Sequence, residues 1–196
     1  MFTGVYEMKN RAVEGYLEIL QLPGNKIKYF LQAIRPNSIM GESEGIVNLT
    51  GDDATDSITF WNSDEPCILH FHFKPGHVEV DAGNVESCGW GYGVRAEGTY
   101  HKSTKLKPDF RSNAYGETYK VMAAKSFFYE DSLLTKPKKS YLVKGNKMKD
   151  LTDHIARYPD LSKPSHTIYT EIYNKKHLTL TYGWIAKKDL MRLPDK

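Results

Sequence analysis

Three histidines crowd the stretch CILHFHFKPGHVEV, which begins at Cys67. His70 and His72 are two residues apart, and His77 follows a Pro-Gly turn. Alternate residues of a strand share a face, so His70 and His72 could supply two of the three protein ligands of a catalytic zinc, with His77 as the third. Such an ion would activate water for hydrolysis. Parity argues against this. Cys67, Leu69, Phe71 and Phe73 fall on one face of the strand, and Ile68, His70, His72 and Lys74 fall on the other. The first set is apolar and should face the core, which turns the histidines outward. His101 would join them only if its strand were a neighbour. A catalytic zinc also needs an open coordination position and a dry outer shell, and no acidic helper stands at convincing spacing. The expectation is no metal, no cofactor and no catalytic set. A histidine-based, metal-dependent hydrolase is kept as a second alternative.

The remaining motifs of catalysis are missing. The sequence has no G-x-S-x-G, no P-loop, no G-x-G-x-x-G opening a helix and no H-E-x-x-H. GWGYG, from Gly89, has the glycines of a phosphate loop without the following lysine and helix, and reads as a bulged strand start. Glu42 with Glu44, and Asp52 with Asp53, sit in polar settings and read as solvated charge. The two cysteines, Cys67 and Cys88, form no C-x-x-C, which argues against structural zinc and thioredoxin-type redox work. Strands that return beside one another would let them bridge, closing a loop of about 20 residues worth roughly 3 kcal/mol. A pair of buried free thiols fits the residues as well.

The elements that position these residues read as strands. The 196-residue chain is 40% hydrophobic and 12% aromatic, with 15 glycines, a composition suited to pleated surfaces and turns. Residues 1–102 alternate in about eight short runs punctuated by PGN, PNS, SDEP and KPGH, which predicts a small antiparallel up-and-down barrel. The glycines of IMGESEGIVNLTG suggest bulges. Residues 103–117 lack periodicity and read as a linker. Residues 118–196 hold five or six further short strands, enough for a second compact barrel. Residues 1–100 carry 7 Lys+Arg against 14 Asp+Glu, whereas residues 101–196 carry 20 against 10, so the net charge of +3 hides an acidic half and a basic half. Such a split suits two domains with different partners. No apolar run reaches the roughly 20 residues a membrane helix needs.

The second half resembles bacterial SH3-like domains, on YKVMAAKSFFYED, KKSYLVKGNKMKDL and the closing YGWIAKKDL. It departs from them in a long polar insert from Asp153 to Ser165. The first half is similar to the small lipocalin-like barrels of bacterial envelope proteins, lysozyme-inhibitor-type domains among them. FTGVYE, GYLEI, CGWGYGVRAEGTYHK and the Cys67–Cys88 pair carry that likeness. The resemblances imply an all-β fold, a small antiparallel up-and-down barrel followed by an SH3-like barrel. They also imply a non-enzymatic binder, in the manner of an inhibitor or immunity protein acting on a basic protein partner. An envelope setting is oxidising, and so favours a Cys67–Cys88 disulfide. The opening MFTGVYEMKN has no apolar signal core, which leaves a periplasmic or envelope protein whose leader has been removed, or a cytoplasmic one.

Binding residues are sought among aromatics. Peptides lie on aromatic grooves in SH3-like folds, and Tyr129, Tyr141, Tyr173 and Trp184 are the candidates. Trp184 and Tyr119 would equally serve as core. In the first half, Trp61 and Trp90 stand at strand ends beside acidic loops and suit a protein-binding patch. Lys136, Lys138, Lys139, Lys144, Lys147 and Lys149 make a basic hairpin for an anionic envelope surface, and no nucleic-acid motif accompanies them. A lipocalin-like carrier of a small apolar ligand is the first alternative, because an eight-stranded barrel can hold one.

Overall fold

Period-two patterning in the first half becomes eight antiparallel strands: β1 (Gly4–Lys9), β2 (Glu14–Leu22), β3 (Lys26–Ile34), β4 (Met40–Thr50), β5 (Asp53–Ile58), β6 (Cys67–Lys74), β7 (His77–Gly83) and β8 (Gly98–Lys102). This computed structural model describes residues 2–36, 38–58, 65–110, 116–152, 166–176 and 179–194. Each strand pairs with the next, and β1 closes on β8 with Tyr6 opposite Lys102 and Glu7 opposite His101. Closure leaves this sheet no free edge to template pairing with another chain. The PGN and KPGH turns reverse the chain where glycine reaches left-handed φ, +77° at Gly24 and +81° at Gly76.

The barrel interior is packed with its own side chains. Leu17 and Ile19 of β2, Ile27, Tyr29 and Leu31 of β3, Leu69 and Phe71 of β6 and Tyr100 of β8 are all fully or almost fully buried. Side chains of this kind each stabilise by about 1.5–3 kcal/mol on burial. Tyr29 and Phe71 pack with ring centroids 4.7 Å apart. Their polar ends are satisfied: the Tyr29 hydroxyl donates to Asp56, and that of Tyr100 to the Ala96 carbonyl at 2.8 Å.

Two details differ from the sequence expectation. The glycines of β4 are not bulges, because β3 and β4 pair in one unbroken register from Lys26–Asn48 to Ile34–Met40. The last strand begins only at Gly98, and GWGYG belongs to the connection before it.

The chain divides into two compact units, the second beginning at Asp109. Among the described residues seven strands, against the five or six expected, build the second unit: β9 (Thr118–Val121), β10 (Lys125–Tyr129), β11 (Pro137–Val143), β12 (Lys147–Lys149), β13 (Thr167–Tyr173), β14 (Thr179–Ala186) and β15 (Leu190–Arg192). They form a four-stranded sheet, β11-β10-β14-β13, and a three-stranded sheet, β12-β9-β15. Inward residues of both sheets, Tyr119, Val121, Phe128, Leu142, Met148, Ile168 and Ile185, share one core. A 3-10 turn, Lys187–Asp189, carries the chain from one sheet to the other. Of the expected linker, Phe110 is buried, and residues 111–115 lie outside the described residues, as does the polar insert 153–165. No helix among the described residues is long and apolar enough to cross a membrane.

Candidate functional site

The histidines stand where parity puts them. Cys67, Leu69, Phe71 and Phe73 are buried, while His70 and His72 project outward from β6. Each outward histidine is engaged by β5: His70 Nδ1 lies 3.0 Å from Thr55 Oγ1, and His72 Nδ1 lies 2.5 Å from Asp53 Oδ1. His77 stands opposite Lys74 across the hairpin and opposite His101 on the other side, the two rings 6.0 Å apart. Glu79 is held by Lys74 at 2.6 Å, a bond that lowers its carboxyl pKa below the ordinary range. Among the described residues no group of three or more His, Cys, Asp or Glu side chains is placed to hold a metal ion. His72 is flanked across the strands by Asp53 and Glu79, and His77 by Lys74 and His101, so His70, His72 and His77 sit in separate cross-strand rows.

One end of the barrel carries the long connections. Between β7 and β8 the chain makes a 3-10 turn at Val85–Cys88 and then crosses towards β3 and β4, on the far side of the barrel. Cys88 is bonded to Cys67 at the start of β6, and both sulfurs are shielded from solvent. Two residues on, Trp90 lies over β4. Its Nε1 donates to Ser43 Oγ at 3.1 Å, and its ring occupies the space above Gly41, where a Cβ would come within 2.4 Å of Cγ. That close approach is what requires glycine at position 41. The Gly91 amide donates to the Met40 carbonyl, and Arg35 Nη1 donates to the Tyr92 carbonyl at 3.0 Å. Val94 and Ala96 then turn into the core. The connection therefore caps this end of the barrel.

Trp90 is thus a half-buried pin, whereas its position in the sequence suggested an exposed contact. The exposed aromatic of the cap is Tyr92, at 91%. Sequence reading passed over it because a tyrosine in a glycine-rich loop carries no periodicity. Trp61 lies outside the described residues.

The four-stranded sheet brings most of the other candidates together. Phe128, Leu142, Ile168 and Ile185 point inward, so Phe127, Tyr129, Tyr141, Tyr169, Tyr182 and Trp184 alternate onto the opposite face. Tyr129 of β10 pairs directly with Trp184 of β14, which pairs with Tyr169 of β13. Trp184 meets Tyr169 edge-on at 5.7 Å, and Phe127 packs with Tyr141 at 5.6 Å. Lysines lie over this row: Lys125 Nζ is 4.6 Å from the Tyr141 ring centre, and Lys138 Nζ is 3.8 Å from that of Tyr182. Lys138 also donates to the Tyr182 carbonyl. Phe127 and Tyr141 are exposed, Tyr129, Tyr182 and Trp184 half-buried, and Tyr169 enclosed. Tyr173 stands past a register shift at the far end of β13, away from the Tyr129–Trp184 pair. Tyr119 belongs to the core, as the alternative reading had it. Phe127, Tyr169 and Tyr182 were missed by sequence reading; their alternation with core residues was the available signal.

This face carries planar apolar surface with cations held on it, a combination that suits binding. Comparison of the chain with protein-family models, with curated proteins and with solved structures finds no match.

Proposed function

We propose that this chain is a non-enzymatic binding protein of the bacterial cell envelope, of the inhibitor or immunity type, which grips a protein or peptide partner. The observation that carries this reading is the aromatic row on the four-stranded sheet. Phe127 and Tyr141 are exposed beside the Tyr129–Trp184 pair, and planar side chains of this kind are the usual anchors of an interface. Two small sheets sharing one core also fit the SH3-like resemblance of residues 118–196, and the eight-stranded barrel fits the lipocalin-like one. The disulfide fits an oxidising compartment.

The two alternatives gain less support. A carrier of a small apolar ligand needs an open lumen, and Tyr29, Phe71 and Tyr100 occupy this one beneath the Trp90 cap. A hydrolase built on His70, His72 and His77 needs convergent ligands, and β5 and β7 neighbours separate them.

The test uses a basic protein of the class that the resemblance implies, a lysozyme, with an acidic protein of equal size as control. Isothermal titration and muramidase assays are run on the full chain, on Phe127→Ala/Trp184→Ala and on Tyr92→Ala. Saturable binding that Phe127→Ala/Trp184→Ala weakens tenfold or more, equivalent to about 1.4 kcal/mol, supports the reading. Absence of binding to the basic protein, or binding indifferent to the Phe127→Ala/Trp184→Ala variant, counts against it.

A further inference from the structure

The three-stranded sheet has an outward face of a different character. Tyr119 and Val121 of β9 and Met148 of β12 point into the core, so Lys120, Lys147 and Lys149 project the other way. Lys147 stands directly opposite Lys120, and Met191 of β15 stands opposite Lys120 on its other side. Like charges directly across a ladder are destabilising. Among the described residues neither the Lys120 nor the Lys147 side chain has an ion pair or hydrogen-bonded partner to offset this.

The acids of this region are turned elsewhere. Glu117 binds Arg192 at 3.0 Å and accepts from the Tyr119 hydroxyl, Asp150 accepts from Thr152, and Asp189 accepts from Ser126. Backbone hydrogen bonds bring more lysine to the same end of β9. The turn containing Lys144 is held by Gly145 and Asn146 against Val121, and the 3-10 turn bearing Lys187 and Lys188 is held by Asp189 against Met122. All three of these lysines are exposed. Met122 and Met191, each 44% exposed, lie among them.

We propose that this face docks on an anionic lipid bilayer, with Lys120, Lys144, Lys147, Lys187 and Lys188 meeting headgroups and Met122 and Met191 reaching the interface. It corrects the expected basic hairpin, of which only Lys144 and Lys147 take part because β11 and β12 lie in different sheets, and it does not rest on the peptide reading, since it uses the other sheet. Repelling lysines without counter-ions call for an anionic partner, and exposed thioethers among them favour an interfacial one over a fully solvated polyanion. Single-stranded nucleic acids are held by stacked aromatics, and the described residues of this face offer none.

The experiment is co-sedimentation of the full chain with vesicles of phosphatidylcholine alone, or with 30% phosphatidylglycerol (roughly the range of an anionic membrane). It is run at low and high salt on the parent, on Lys120→Gln/Lys147→Gln and on Phe127→Ala/Trp184→Ala. A single-stranded oligonucleotide and heparin are titrated in parallel. Binding should need the anionic lipid, fall with salt, and drop about thirty-fold in the lysine variant, from about 1 kcal/mol per lysine. The aromatic variant should bind vesicles like the parent, which separates this proposal from the peptide reading. The lysine variant should melt no lower than the parent, because a repulsion has been removed. Equal binding to neutral vesicles, vesicle binding unchanged by the lysine substitutions, or lysine-dependent binding of the oligonucleotide or heparin without vesicle binding would each overturn it.

Discussion

Removing the Cys67–Cys88 bond should destabilise the barrel by more than any surface change. The bond spans 21 residues of sequence. The chain-entropy relation gives about 11 cal/mol/K for a loop of that length, or about 3 kcal/mol at 25 °C. For a unit of about 100 residues each kcal/mol moves the midpoint by about 4–8 °C, so Cys67→Ala/Cys88→Ala should lower the melting temperature by roughly 12–24 °C. Both sulfurs are buried in the core, so lost packing adds to this. The loss should also have a place. The bond holds the connection two residues before Trp90, so the cap should loosen before the wall does. Hydrogen exchange should show the Gly91 amide, bonded to the Met40 carbonyl, losing protection while the paired amides of β2 and β3 keep theirs. Calorimetry and exchange on parent and variant are the assays. A stability loss under about 1 kcal/mol would refute the entropic argument. Undiminished protection at Gly91 would refute the role assigned to the bond in holding the cap.

Other expectations follow from the same packing. Gly41→Ala should push Trp90 off its seat, shifting its fluorescence to longer wavelength and destabilising by about 1–3 kcal/mol through overpacking; an unchanged spectrum would show that the cap does not rest there. Burial first, and then the charge of Glu97, hold the Tyr100 phenol above its ordinary range. The stability this represents is present below the unfolded value of about 10 and is lost as pH rises past it, so the barrel should unfold at alkaline pH as the tyrosinate absorbance of Tyr100 appears. Asp131 accepts first from the Thr135 amide, then from its hydroxyl and from the Lys136 amide, and its carboxyl is held below the ordinary range. Stability from this turn should persist above the unfolded carboxylate value and fade as pH falls through the folded one, which carboxyl NMR shifts would follow. Phe71→Ala should cost the barrel about 3–5 kcal/mol in denaturant unfolding, because its side chain is fully enclosed.

Local features were legible without coordinates. Alternation in CILHFHF placed Cys67 inward and His70 outward because the two faces of a strand follow from a period of two residues. Turn chemistry located the reversals at Gly24 and Gly76 because few residues tolerate their φ. The number of strands in the first half, and the all-β character, rested on the same local signals. Contacts between distant residues were not legible. Trp90 meets Ser43 across 47 residues of sequence, and nothing near either one announces the other. Whether the glycines of β4 mark bulges or make room for an indole depends on that crossing. Lys120 and Lys147 became a repelling pair only when β9 and β12 were paired in register, and the aromatics of β10, β13 and β14 became one surface only when those strands lay side by side. Sequence by itself determined which way each side chain points from its own strand. The tertiary structure decided which strands are neighbours, and therefore which outward residues meet.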